Sequence, residues 1–164
     1  MKSPPGMSDV IVSRSEEETL SLGRRIGSRI IPPRVVLLIG DLGSGKTVFA
    51  RGLCEGLGLR PGTVVHSPTF TLVNEYPSSS GIIYHIDLYR LETLRDLYSI
   101  GIEDILSQDA VIVVEWAEKL QFELENSIHV FIAHQKGIGT RVIRIEPGVA
   151  ELEGAKDTGS GAVP

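Results

Sequence analysis

One run of eight residues constrains this chain more than any other. Gly40-Asp41-Leu42-Gly43-Ser44-Gly45-Lys46-Thr47 fits G-x-x-x-x-G-K-[ST] at every fixed position. Glycines at these places let backbone N–H groups turn inward and wrap phosphate oxygens. The N-terminus of a following helix adds favourable dipole. Such a loop needs a buried strand leading in and a helix leading out, and both flanks comply. Val35 to Ile39 is five apolar residues in a row, the pattern of a strand covered on both faces of a parallel sheet. Lys46 to Leu57 reads as an amphipathic helix with Gly58 as its terminator. The local sequence therefore predicts a P-loop NTPase-like α/β fold that binds ATP and magnesium through Asp41, Leu42, Gly43, Ser44, Gly45, Lys46, Thr47 and Val48. Lys46 reaches the β- and γ-phosphates, and the Thr47 hydroxyl is a magnesium ligand.

The rest of the chain fills in that fold. Asp9 to Arg14 predicts a short strand. Ser15-Glu16-Glu17-Glu18 has capping-box spacing and opens a helix to about Ile30, with Leu22, Ile26 and Ile30 as its apolar stripe and Pro32-Pro33 as its stop. Phe70 to Tyr76 and Ile82 to Leu88 are β-rich runs separated by Pro77-Ser78-Ser79-Ser80-Gly81, which predicts an antiparallel hairpin inside a mixed sheet with helices on both faces. Glu92 to Ser99 predicts a short helix and Ile102 to Leu106 another turn or two. Ala110 to Glu115, Ser127 to Ala133 and Arg141 to Glu146 are further strands, the last two joined through Lys136-Gly137-Ile138-Gly139. The expected organisation is a flexible N-terminus at 1–8, with Met7 an alternative start, one P-loop ATPase domain at 9–146, and a disordered tail at 147–164, where the composition turns to Gly, Ala, Glu, Lys, Asp and Ser.

A P-loop alone does not complete a hydrolytic site. An acidic residue at the end of a neighbouring strand has to hold magnesium or its waters. Asp87, after Ile82-Ile83-Tyr84-His85-Ile86, and Glu115, after Val111-Ile112-Val113-Val114, are the two candidates, and a loop carboxylate in a salt bridge is the plainer alternative for each. Ligands of open α/β sheets sit beyond the carboxyl ends of the strands, which suits both. His66-Ser67-Pro68-Thr69 is placed to sense a γ-phosphate as GTPase switch loops do, or is a plain turn. Trp116, the single tryptophan, is a packing anchor or an active-site or partner-facing aromatic. His85, Tyr84 and Tyr89 alternate along a strand and read as fillers of the sheet faces.

Composition narrows the class. At 164 residues and 41% hydrophobic, the chain has enough for one core. A net charge of −5 argues against gripping nucleic acid unaided. No apolar run approaches a membrane span, and no signal-peptide plan opens the chain, so a cytoplasmic location is expected. The single cysteine, Cys54, reads as a buried hydrophobe. His129 and His134 have no cysteine or carboxylate cluster around them, which disfavours structural zinc. There is no Asn-Lys-x-Asp guanine motif and no Leu-Ser-Gly-Gly-Gln transporter segment. A minimal ATPase and a small-molecule kinase remain. The kinase needs an arginine-rich lid, and between Tyr76 and Arg95 only Arg90 and Arg95 are present.

Four blocks together carry a resemblance: Gly-Asp-Leu-Gly-Ser-Gly-Lys-Thr at 40–47, His-Ser-Pro-Thr-Phe-Thr-Leu-Val-Asn-Glu-Tyr at 66–76, Tyr-His-Ile-Asp-Leu-Tyr-Arg-Leu at 84–91 and Val-Glu-Trp-Ala-Glu at 114–118. In this order and spacing the chain resembles the TsaE family, bacterial ATPases of tRNA threonylcarbamoyladenosine biosynthesis, over about residues 9–146. The resemblance implies slow, magnesium-dependent ATP hydrolysis. It implies work beside a threonylcarbamoyl transferase subunit and its inactive paralogue, with tRNA reached through that complex. It assigns Lys46 to phosphate, Thr47 and Glu115 to magnesium, and Asp87 to the attacking water. Ser67, Pro68 and Thr69 become a switch-like loop with Trp116 nearby, and Ser15, Glu16 and the turn from Gly137 to Arg141 flank the adenine.

Overall fold

The structure is a computed structural model and describes residues 8–154. The expected flexible N-terminus at 1–8 lies outside the described residues except for Ser8, and so does 155–164 of the expected tail. Seven strands form one sheet: β1 (Asp9–Ser13), β2 (Arg34–Ile39), β3 (Val73–Ser78), β4 (Gly81–Asp87), β5 (Val111–Glu115), β6 (Ser127–His134) and β7 (Arg141–Glu146). Their order across the sheet is β1-β7-β6-β2-β5-β4-β3. The central four, β6-β2-β5-β4, run parallel, and the pairs β1–β7, β6–β7 and β3–β4 are antiparallel. The sheet is therefore mixed, with the expected hairpin at one edge.

Helices cover both faces. α1 (Glu16–Gly27) and α2 (Lys46–Gly56) pack on one, where Ile26, Val36, Leu38, Phe49, Leu53, Val113 and Ile128 form the larger core. α3 (Leu94–Ser99) and α4 (Ile102–Leu106) close the other over Leu37, Ile86, Ile112 and Val114. The strict alternation of β2 and β5 between these two cores explains why they read as unbroken apolar runs. Thr93 and Asp96 form a reciprocal capping box that fixes the start of α3.

α1 and α2 meet backbone to backbone. Gly23 and Gly27 on α1 face Gly52 and Gly56 on α2, each pair four residues apart and so on one face of its helix. A Cβ on Gly23 would lie 2.5 Å from the Phe49 carbonyl oxygen and 2.9 Å from the Leu53 nitrogen. This approach presses α2, whose first residues are Lys46 and Thr47, onto α1.

Three expectations are corrected. α1 ends at Gly27, and the chain reaches Ile30 through hydrogen-bonded turns rather than helix. The first hairpin strand starts at Val73, because 68–72 curls into a turn closed by Leu72 N–H donating to the Pro68 carbonyl at 2.6 Å; the strands then run on through Ser78 and from Gly81, leaving Ser79-Ser80 as the turn. Beyond Pro147, where composition predicts disorder, Val149–Gly154 forms helix α5 and Leu152 is buried in the larger core. Asp9 accepts a hydrogen bond from the Val149 N–H at 2.7 Å and so caps that segment. Leu152 and the half-buried Val149 pack on the larger core, a signal that composition averages away.

Candidate nucleotide-binding and hydrolytic site

The strand register sets the site. Leu38, Glu115 and Asp87 stand level on β2, β5 and β4, so the last residues of β4 and β5 flank the loop that leaves β2. Alternation puts Ile83, His85 and Asp87 on the α2 face of β4, and Val113 and Glu115 on the same face of β5. Both carboxylates are buried, at 2% exposure, an environment that ordinarily excludes such groups unless they are paired. They are held as follows. The Thr47 hydroxyl donates to Glu115 at 2.9 Å from Oε2 and 3.1 Å from Oε1. His85 Nε2 lies 2.7 Å from Glu115 Oε1. Asp87 Oδ1 accepts from the Tyr89 N–H at 2.8 Å, and its Oδ2 accepts from Thr69 at 3.0 Å and Ser67 at 3.4 Å.

Ser67-Pro68-Thr69 is thus tied to Asp87 rather than lying free. Ser67 and Thr69 also bond each other at 2.8 Å, and Pro68 is buried. The segment is braced from behind by the Tyr76 hydroxyl, which accepts from the His66 N–H and donates to the His66 carbonyl.

Lys46 is buried and bridges the loop, with Nζ donating to the Gly40 carbonyl at 2.5 Å and the Asp41 carbonyl at 2.8 Å. Its ammonium sits 4.0 Å from the centre of the Trp116 ring, which in turn packs against Tyr89 in a tilted arrangement with ring centres 4.9 Å apart. Burial lowers the Lys46 pKa from its usual value, against the pull of Glu115, Glu118, Asp87 and Asp41. Trp116 takes a left-handed backbone conformation, φ 57°, which turns the chain sharply out of β5 and lays the indole over the loop.

These groups line one cavity of about 300 Å³, with Leu42, Gly43, Gly45, Lys46, Thr47 and Val48 as its floor and Ser67, Thr69, Asp87, Tyr89, Glu115 and Trp116 on one side. Glu16 and Arg141 close the opposite side. Asp41 contributes through its carbonyl and Ser44 is buried beneath the loop. Ser15 does not reach the cavity. Its hydroxyl caps α1 by accepting from the Glu18 N–H at 3.1 Å. His85 and Tyr89, expected to fill the sheet faces, instead meet the site: His85 bonds Glu115 and Tyr89 lines the cavity. A signal existed for His85, since a polar residue two before a strand-end carboxylate shares its face. Arg141 ends the Gly137 to Arg141 turn that the resemblance sets beside the adenine, and it lines the cavity.

The donor set fits a magnesium nucleotide. Thr47 and Glu115 supply hard oxygens beside a glycine-rich helix N-terminus, and magnesium in such sites takes its remaining ligands from phosphate and water. Among the described residues no cluster of three or more His, Cys, Asp or Glu is placed to hold a metal ion.

Comparison with known proteins places these features. The family model described as threonylcarbamoyl adenosine biosynthesis protein TsaE matches residues 13–143. The chain is similar to the tRNA threonylcarbamoyladenosine biosynthesis protein TsaE of Nostoc sp., 38% identical over 80% of this chain and 82% of the relative. The protein of that name from Treponema pallidum is 40% identical over 69% and 82%. That from Haemophilus influenzae is 46% identical over 53% and 54%. A crystal structure of Bacillus subtilis YdiB superposes with a TM-score of 0.66 at 28% identity, covering 87% of each chain. With the match running from the last residue of β1 into β7 and taking in the phosphate loop, both carboxylates and Trp116, the chain belongs to the TsaE family of tRNA threonylcarbamoyladenosine biosynthesis proteins.

Proposed function

We propose that this chain is a slow, magnesium-dependent ATPase that serves as an accessory subunit in threonylcarbamoyl modification of the adenosine beside the anticodon of tRNA. The observation that carries the ATPase reading is the junction at Thr47: one hydroxyl on the phosphate-loop helix bonds Glu115, while Asp87 stands level with Glu115 one strand away. That is the arrangement a phosphate loop needs to hold magnesium on one carboxylate and water on another.

In this reading Lys46 leaves the Gly40 and Asp41 carbonyls for the phosphates and neutralises charge that grows on the γ-phosphoryl oxygens. Magnesium, held by Thr47 and Glu115, supplies further charge neutralisation. His85 keeps the Glu115 carboxylate in one orientation. Asp87, steadied by Ser67 and Thr69, orients a water whose oxygen forms the new bond to the γ-phosphorus as the β–γ bridging bond breaks. The products are ADP, phosphate and the proton released from water. Ser67 and Thr69 bond to Asp87 and so couple the 66–72 loop to the state of the site. The hydrolysis resets a partner complex, a threonylcarbamoyl transferase subunit and its inactive paralogue, and tRNA is reached through them. The net charge of −5 agrees with indirect rather than direct contact with RNA. A cytoplasmic site of action follows from that role. No helix among the described residues is long and apolar enough to cross a membrane.

The test is the threonylcarbamoyladenosine content of bulk tRNA from cells depleted of this protein and complemented with wild type or Lys46→Ala. Loss of the nucleoside, restored by wild type alone, is the expected outcome. An unchanged level on depletion refutes the role, and restoration by Lys46→Ala refutes its dependence on nucleotide.

A further inference from the structure

Arg141, the first residue of β7, is 7% exposed, and its Nε and Nη1 are buried with no hydrogen-bond partner. Arginine does not shed its proton in proteins, so this is a permanent cation with two buried, unused donors. Such a group destabilises the fold unless an anion meets it. The side chain lies on the phosphate loop itself. A Cβ on Gly45 would stand 2.8 Å from Nε, 3.2 Å from Cδ and 3.4 Å from Cζ, so the absence of a side chain at Gly45 is what admits the guanidinium. It also lines the cavity described above.

Its side of the cavity is informative. In the order β7-β6-β2-β5-β4, Arg141 approaches the loop across β6, while Glu115 and Asp87 approach from β5 and β4. The bond that breaks in hydrolysis must lie by the carboxylates. The phosphate nearest the nucleoside then falls on the Arg141 side.

Resting on the nucleotide reading above, we propose that Arg141 is a ligand-binding residue that donates through Nε and Nη1 to the α-phosphate of bound ATP or ADP. It acts on retention of the nucleotide and not on the chemical step. Because the α-phosphate is common to both nucleotides, Arg141 strengthens ATP and ADP binding alike, which is uniform binding in the kinetic sense. The planar fork suits two phosphate oxygens in a way a lysine ammonium does not.

The experiment is calorimetric titration of the full chain with MgADP and with a non-hydrolysable MgATP analogue, for wild type, Arg141→Lys and Arg141→Gln, beside melting temperatures without nucleotide and turnover over a range of ATP concentrations. Arg141→Gln is expected to weaken both ligands by about tenfold to a hundredfold, by similar factors, as loss of charge-assisted hydrogen bonds does. Arg141→Lys falls between it and wild type. The KM for ATP rises by a factor similar to the loss of affinity, and the melting temperature without nucleotide does not fall, because a buried unpaired charge is removed. Unchanged ADP affinity overturns the proposal. So does a loss confined to turnover, which places Arg141 at the reacting phosphate, or a lower melting temperature with unchanged affinity, which makes it a packing residue. Wild type that binds neither nucleotide refutes the nucleotide reading itself.

Discussion

Replacing Gly23 by alanine sets two well-understood effects against each other. In the interior of a helix alanine is favoured over glycine by about 1 kcal/mol, so helix propensity alone expects Gly23→Ala to stabilise α1. The packing says otherwise. The new Cβ would stand 2.5 Å from the Phe49 carbonyl oxygen, where ordinary contact begins at 3.4 Å, and it meets the Leu53 nitrogen and Gly52 carbonyl carbon as well. All three are backbone atoms of α2, so no rotamer change relieves them. α1 and α2 have to part by about 0.9 Å, which also loosens Phe49 and Leu53, both fully buried. Overpacking of a tight core costs about 1–3 kcal/mol. Taking the upper end for a backbone clash and subtracting the propensity gain leaves a net loss of about 2 kcal/mol, or roughly 4–8 °C in melting temperature for a domain of this size. The displaced helix begins with Lys46 and Thr47, so MgADP affinity falls in the same variant. Thermal unfolding by circular dichroism and titration with MgADP measure the two effects. A melting temperature equal to or above wild type refutes the claim that this interface has no room for a methyl group.

Cys54 lies on the same helix α2 within the larger core, and burial pushes its thiol up to about 12. Folding thus favours the neutral thiol. That contribution to stability is intact below about pH 9 and is lost as the pH rises toward 12. Native protein is expected to resist iodoacetamide at pH 8 and to label rapidly in guanidinium, and comparable labelling in both conditions contradicts the burial. His85→Phe leaves Glu115 buried with Thr47 as its remaining partner. A loss of about 1.5–3 kcal/mol in urea unfolding is expected, with weaker magnesium dependence of nucleotide binding, and a neutral result excludes His85 as the residue that orients Glu115. Trp116 is the only tryptophan and rests against Lys46, so its fluorescence should change on MgADP addition in wild type and not in Lys46→Ala. An invariant spectrum in wild type that nevertheless binds MgADP rules out displacement of the lysine from the indole.

The central sheet was legible because its strands obey one rule each. Val35 to Ile39 and Val111 to Val114 are apolar throughout because two cores cover them. The phosphate loop and both strand-end carboxylates followed from that reading. What stayed hidden depends on contacts between residues distant in sequence. The glycine pairs at 23 and 27 and at 52 and 56 look like weak helix positions until the two helices are laid together. His85 and Tyr84 differ by one position in a strand, and only the register with β5 tells which of them meets Glu115. Phe70 has high strand propensity, yet it is 84% exposed in a turn because Thr69 beside it is bonded to Asp87. Here a polar contact at the site overrides local preference, which is a common mark of functional segments.

Lys46 and Arg141 bring two positive charges to the cavity, and Glu16, Asp87 and Glu115 bring three negative ones, so the lining has no surplus of cation to offer a polyphosphate. In the proposed reading the carboxylates are also the groups nearest the reacting end. A nucleotide without metal would set its γ-phosphate against Asp87 and Glu115 in a partly buried site, where like charges repel strongly. In the proposed reading, Glu115 would hold magnesium with Thr47, and the metal would offset that repulsion. Arg141, on the far side, needs no metal to meet a phosphate. The proposed division of labour follows: one side of the cavity keeps the nucleotide in either state, and the other distinguishes a magnesium-bound triphosphate from what remains after its hydrolysis. The 66–72 loop is fastened to Asp87 on that second side, which is where a partner surface has to be joined if it is to respond to hydrolysis rather than to occupancy.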